Sequence, residues 1–272
     1  MPQYVRPRVF LIGAQAILDE GLEEYLRFVK CEDFLASIDK ARELGLSDGE
    51  ILVSTYAKLC YRSLTLGQND NITRTRDIAD NLKSCYDTGH GSVFEHCSLN
   101  FIVTNCSRVF THEQVRHRVG VAYSQTSGRY VRSLPISFVE DDVIGDEALQ
   151  LGRELLQTIE RYYADMQKAS GVEDMRDFTR KKQITSALRR YLPNGQANEI
   201  GMTLNVRSLR HLLQIRTSEH AEREIRDIYG QVHDIIAEKY PGMVADAKVK
   251  IVDGMKVVYG MRMQPYDTIL PE

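Results

Sequence analysis

CSLNFIVTNCSRVFTHEQVRHRVGVAYSQTSGRY, residues 97–130, is the stretch on which the reading of the fold turns. Residues 97–105 mix apolar and β-branched side chains in the manner of a buried strand. A short helix is expected over 107–117, followed by an irregular stretch rich in Gly, Ser, Thr and Gln through Gly128. Upstream, Val9–Ile12 reads as a strand, and helical patterns follow over 16–29, 32–45 and 50–66. Ser47-Asp48-Gly49-Glu50 ahead of the third has the S-x-x-E spacing of a capping box. A fourth helix is expected over 71–87, with Ile72, Ile78, Leu82 and Tyr86 near helical spacing. No proline interrupts the chain between Pro7 and Pro135, which permits long helices there.

Downstream, long helices are expected over 146–170 and 174–190, closed by Leu192-Pro193-Asn194-Gly195. Residues 200–206 read as a strand, and 208–215 and 218–239 as helices. In the tail 246–272, VKIVDGMKVVYG should form a hairpin about Asp253-Gly254. Helices alternating with sparse strands give an α+β fold, a mixed layered core with long helices around a small sheet. At 272 residues with no repeat or linker, the chain reads as one domain, 1–272.

Composition limits the function. A net charge of −3 provides no global field to recruit nucleic acid, so an anionic ligand must be held by a local cluster. No apolar run approaches the ~18 residues of a membrane span. The stretch 9–18 stops at Asp19 and lacks the features of a secretory signal. Five cysteines, none spaced C-x-x-C, argue against a disulfide framework or zinc site and fit a reducing compartment, the cytoplasm by default.

Chemistry concentrates between 89 and 132. His90, His96, His112 and His117 fall there, with Arg108, Arg116, Arg118, Arg129 and Arg132 against only Glu95 and Glu113. Guanidinium forks match phosphate oxygens, so the cluster suits a phosphorylated small molecule; a solvated basic face is the plainer reading. If Arg116-His117-Arg118 is helical, its two arginines point about 200° apart and would serve two different anions. His112 and His117 stand five apart, one too many for H-E-x-x-H, and His90, Glu95 and His96 miss the inverted form, so no bound catalytic metal is expected. Ser92-Val93-Phe94-Glu95 also fits a capping box, a purely structural role. No G-x-G-x-x-G or P-loop is present, and neither Ser127 nor any cysteine has an evident neighbouring base. A single-strand RNA reader would need aromatics interleaved with a basic groove, and only Tyr123 and Tyr130 lie near this loop.

Four ordered motifs resemble those of the flavin-dependent thymidylate synthases. Arg116-His117-Arg118, eight residues, then Ser127-Gly128-Arg129-Tyr130 is similar to that family's RHR(x)7–8S signature. The segment 89–96, GHGSVFEH, resembles its GHxSxxEH element. Arg189-Arg190-Tyr191-Leu192-Pro193 matches RxxLP, and Asn205-Val206-Arg207-Ser208-Leu209 followed by Arg216 matches NxRSL…R. The match spans 89–225 and leaves residues 1–70 and the divergent tail largely outside. The resemblance implies FAD as cofactor, NADPH as reductant, and transfer of a methylene from methylenetetrahydrofolate to C5 of dUMP. It implies a homotetramer with shared active sites and no protein nucleophile.

Carried over by position, the nucleotide falls to Glu113, Gln114, Arg116, Gln125, Thr126, Ser127, Gly128, Arg129 and Arg189, with Arg216 against the uracil as the catalytic group. Flavin contacts fall to Ser92, Arg116, His117, Arg118, Asn205, Arg207 and His211. The spacer from Arg118 to Ser127 is the longer family form, and Val119-Gly120-Val121-Ala122 within it is unusually apolar. That spacer borders the nucleotide grip, so a relative that methylates UMP is the alternative there; a flavoprotein that has lost transferase activity and only oxidises NADPH is a separate competing reading.

Overall fold

The computed structural model describes residues 1–131 and 134–262. Arg132 of the basic cluster and the end of the tail, 263–272, lie outside them. In chain order the elements are β1 (Gln3–Val5), β2 (Arg8–Ala14), α1 (Asp19–Phe28), α2 (Phe34–Glu43), α3 (Asp48–Cys60), α4 (Ile78–Asp87), β3 (Ser98–Ser107), α5 (Arg108–Gln114) and β4 (Val121–Gln125). There follow β5 (Ser137–Val139), α6 (Asp146–Ala169), α7 (Phe178–Leu188), β6 (Ala197–Asn205), α8 (Val206–Arg216), α9 (Arg223–Lys239), β7 (Lys248–Val252) and β8 (Met255–Tyr259). The expected α+β class holds. The four-stranded sheet runs β2-β3-β6-β4, and the pairs β1-β5 and β7-β8 stand apart from it.

Two strands follow directly from pattern. Leu99, Phe101 and Val103 of β3, and Ile200, Met202 and Leu204 of β6, alternate as buried residues, the period a sheet face requires. At Asn105 the backbone turns left-handed (φ 56°), which asparagine tolerates. The alternation breaks there, so Cys106 and Ser107 are both buried and Ser107 can cap the next helix.

The chain divides into two compact units. The first comprises residues 1–10, 102–118 and 123–202; the second comprises 11–101, 119–122 and the chain from Thr203 onward. In the first, β1 pairs in parallel with β5, Gln3 opposite Ser137, and Tyr163, Val172 and Leu188 form a small core between α6 and α7. In the second, Leu26, Phe34, Ile38, Ile51 and Ile78 join α1–α4. Ile225, Ile228, Tyr229, Val232 and Ile236 of α9 repeat at i, i+3, i+4, i+7 and i+11 and are all buried.

Local signals differ in how well they hold. The Ser47/Glu50 capping box is present in full. The tail hairpin is also as expected: Val252 faces Met255 across Asp253 (φ 53°) and Gly254 (φ 74°), the two left-handed residues a type I′ turn demands. Several readings need correction. The helix expected over 71–87 begins only at Ile78, because Asp77 takes the N-cap and accepts from Asp80 N. Ser92 caps nothing: 91–96 is a 3-10 turn with no side-chain cap. The irregular stretch after Arg118 contains β4, a strand whose composition concealed it.

Candidate functional site

In the first unit the site grows from the end of β3. Ser107 Oγ accepts from Phe110 N at 3.1 Å and starts α5, a helix of only seven residues. It ends at Gln114, so Arg116-His117-Arg118 lies on the turn beyond it, with His117 N donating to Gln114 O at 3.1 Å. The expected helical divergence of Arg116 and Arg118 therefore does not apply. Gln114 is 0% exposed and its carboxamide donates to Tyr123 Oη at 2.9 Å. Tyr123 in turn bonds the Gln114 and His117 carbonyls and ties β4 to the end of α5.

The loop after β4 is held by its own backbone. Thr126 N donates to Glu199 O at 3.0 Å, and Ser127 O accepts from Tyr130 N and Val131 N. Gln125 is spent on Thr111 Oγ1 at 3.0 Å. Arg129 is exposed and stands beside the Tyr130 ring, with its Cζ 5.8 Å from the ring centroid. Gly128 matters by its emptiness: a Cβ there would lie 3.5 Å from an Arg108 Nη and 3.6 Å from Arg189 Cδ. Two arginines from distant segments thus meet against one glycine. Burial, and then the like charge of Arg189, hold the Arg108 pKa below its usual value.

Beside them is a cavity of about 300 Å³ lined by Thr104, Asn105, Arg108, Thr126, Gly128 and Asn198, with Glu199 also on its wall. Asn198 Nδ2 is buried there without a hydrogen-bond partner among the described residues. Converging cations and an unmet N–H donor suit a phosphate or carboxylate. Arg108 was counted in the basic cluster but given no role by the motifs; its contact with Gly128 comes only from the fold.

In the second unit the site is built on α8. Asn205 caps it, accepting from Ser208 N at 2.8 Å, while Asn205 N donates to Gly120 O at 2.9 Å. Ser208 Oγ donates to Val119 O at 2.7 Å, so the long spacer is bound to the helix start. Gly120 (φ 66°) could not carry a Cβ, which would fall 2.5 Å from Ser208 Oγ and 2.7 Å from Asn205 Cγ. Gly120→Ala is expected to cost about 1–3 kcal/mol from overpacking, with left-handed strain added, seen as a lower urea midpoint. Gly128→Ala should be near neutral for stability by the same assay. Equal effects at the two glycines would contradict this account of the spacer.

Val206, Leu209, Leu212 and Leu213 bury one side of α8 and leave Arg207, His211 and Ile215 on the other, one turn apart. Arg207 pairs with Glu95 of the GHGSVFEH segment. In the same segment His96 stacks on Tyr56 at 3.8 Å, and a His90 ring nitrogen lies 3.5 Å from Tyr61 Oη. Ser92 is exposed and Arg216, at the helix end, half-buried. A guanidinium, an imidazole, a hydroxyl and flanking aromatic and aliphatic surface fit a flat ligand carrying phosphates, which is the chemistry of a flavin nucleotide. Of the expected flavin residues the structure places Ser92, Asn205, Arg207 and His211 in the second unit, and Arg116, His117 and Arg118 in the first. The expected nucleotide residues lie in the first unit, and Arg216 in the second.

Motif reading passed over Arg210. It is 0% exposed, its Cζ 5.0 Å from the Tyr86 ring centroid and 5.1 Å from that of Phe94, and it bonds both Asp246 carboxylate oxygens at 2.7 Å. It also donates to Met243 O and Arg262 O, anchoring the chain that leads to the hairpin.

Fold and site together define an α+β protein with guanidinium-rich surfaces in both units. The chain belongs to the thymidylate synthase complementing protein family, whose model matches residues 45–242. The flavin-dependent thymidylate synthase of Mycobacterium tuberculosis is 35% identical over 239 residues, covering 83% of this chain and 90% of that protein. Its counterpart in Mycobacterium avium is 33% identical with the same coverage. Among solved structures, the UMP/dUMP methylase PolB from Streptomyces cacaoi bound with 5-Br UMP covers 89% of this chain and 95% of its own, at 17% identity and a TM-score of 0.60. That likeness shows the fold. Among the described residues no helix is long and apolar enough to cross a membrane.

Proposed function

We propose that this chain is an FAD-dependent enzyme that methylates C5 of dUMP to give dTMP, with methylenetetrahydrofolate as carbon donor and NADPH as reductant. Family membership and the thymidylate synthases among its relatives support the chemistry. The observation that carries the nucleotide reading is the cavity lined by Arg108, Gly128 and Asn198, whose amide is unpaired among the described residues, with Arg189 packed against the same glycine. There the 5′-phosphate is gripped by Arg189, Arg129, Ser127 and the Gly128 backbone, with Arg108 adding the charge that burial has left unsatisfied.

Bound FAD supplies the hydride, the part of the reaction that no side chain can perform. Arg207, His211 and Ser92 hold and orient the cofactor, with Asn205 presenting the start of α8. Arg216 faces the pyrimidine and stabilises the negative charge that develops on it, a fixed donor that needs no reorganisation. Ser127 positions substrate and is not a nucleophile. Assembly into a homotetramer with shared sites belongs to the same proposal.

The choice of sugar tests the proposal directly. Val119 and Gly120 of the longer spacer bond α8, and the loop after β4 is closed by the bonds of Tyr130 N and Val131 N to Ser127 O. A ribose 2′-hydroxyl buried there without a partner would cost about 1–3 kcal/mol, roughly five- to more than a hundredfold in affinity. In competition, with products separated by mass, kcat/KM for dUMP should exceed that for UMP by at least about fivefold. A ratio of one or below would replace dUMP by UMP as the substrate and leave the methylation chemistry in place. No methylated product from either nucleotide would refute the proposal.

A further inference from the structure

The second unit holds a cavity of about 340 Å³ that none of the family motifs uses, between the start of α3, the length of α4 and the turn at Pro241–Val244. Leu46, Leu82 and Pro241 give it apolar walls, and Glu50 and Tyr86 are its polar groups. Both polar groups are buried, Glu50 at 2% and Tyr86 at 3% exposure.

Glu50 serves the capping box with one oxygen only: Oε2 accepts from Ser47 N at 2.8 Å and Ser47 Oγ at 2.7 Å. Its other oxygen, Oε1, stands where a side chain on Gly242 would have to go, on the cavity wall. Among the described residues no cation pairs with this carboxylate. Of the other charges along the cavity, Asp246 is taken by Arg210, and Lys83 and Asp87 stand one turn apart on α4. The Tyr86 hydroxyl is buried without a partner, and its ring is fixed by stacking on Phe94 at 5.0 Å and by the Arg210 guanidinium. Burial, and the nearby Glu50 and Asp246 carboxylates acting against Arg210, push the phenol well up in pKa, so it stays neutral with lone pairs to offer.

The Tyr86 hydroxyl, buried with nothing to bond, is costly unless a ligand supplies a partner, and beside it Glu50 Oε1 opens on the cavity with none of the Glu50 hydrogen bonds using it. We propose that this cavity is a second small-molecule site, which takes a monovalent organic cation: a primary ammonium on a compact apolar body. The ammonium donates to Glu50 Oε1 and to the Tyr86 oxygen, and its apolar body lies against Leu46, Leu82 and Pro241. The volume is at the small end for ligand pockets, roughly 300–1,000 Å³, which selects a compact body. The site stands independently of the nucleotide reading, since its residues lie outside that machinery.

Benzylamine and its neutral counterpart benzyl alcohol are suitable probes, titrated into the full-length protein by ligand-observed NMR at neutral pH. The amine should bind about tenfold or more tighter, the difference expected of a charge-assisted bond. Glu50→Gln keeps a residue able to complete the capping box and should abolish the preference. Tyr86→Phe, which removes only the hydroxyl, should weaken the amine about fivefold and provides a second variant if Glu50→Gln folds poorly. Equal binding of amine and alcohol, no binding of the amine at high millimolar concentration, a preference that survives Glu50→Gln, or amine binding unchanged in Tyr86→Phe would each overturn the proposal.

Discussion

Replacing Asp246 with alanine should cost the fold about 3–5 kcal/mol, the effect of leaving one half of a buried ion pair without its partner. Arg210 is 0% exposed, and its guanidinium gives two bonds of 2.7 Å to Asp246. With Asp246 gone it retains, among the described residues, only the Met243 and Arg262 carbonyls, and a full charge stays buried against the stacked rings of Tyr86 and Phe94. Removing both charges should be far milder. Arg210→Met with Asp246→Leu keeps volume without a stranded ion, and such exchanges are often neutral or stabilising. Urea unfolding followed by circular dichroism distinguishes the cases. A single variant that loses less than about 1 kcal/mol would show that water reaches Arg210 and that the pair does not anchor the tail.

Arg216→Ala should lower nucleotide methylation by about 10²–10³ while leaving NADPH oxidation largely intact. Arg216 closes α8 and is followed by Thr217, whose buried hydroxyl bonds Leu213 O. The residues assigned to the cofactor, His211 and Arg207, sit about one and a half and two and a half turns earlier on α8 and are untouched by the change. Rapid-mixing measurement of the two half-reactions separates the roles. Equal loss in both would make Arg216 a structural residue or a cofactor contact.

Legibility followed the range of the forces involved. Where neighbours decide structure, the sequence is explicit: the period-2 burial of β3, the capping box at Ser47, and the Asp253-Gly254 turn are all local. β4 escaped because VAYSQ is half polar; it is a strand because Tyr123 bonds the end of α5 and the sheet supplies β6 as its neighbour. The RHR segment was misread for the opposite reason, since its residues favour helix but α5 has already ended at Gln114.

The site shows the same division. Motif spacing identified Arg189, Arg207 and Arg216, but not what Arg108 and Arg210 do. Arg108 gains its importance from Gly128 and Arg189, and Arg210 from Asp246, 36 residues away. Glu95, read as half of a capping box, instead pairs with Arg207, 112 residues further on. Such partners are set by packing, and no spacing rule reaches across them.

The most direct test of a flavin-dependent methylating enzyme is the visible spectrum of the purified protein, titrated with FAD and then reduced anaerobically with NADPH. The account predicts stoichiometric flavin absorbance, bleached by NADPH and restored when dUMP and methylenetetrahydrofolate are added, with dTMP appearing as the colour returns. A well-folded preparation that shows no bound flavin at saturating FAD would contradict it.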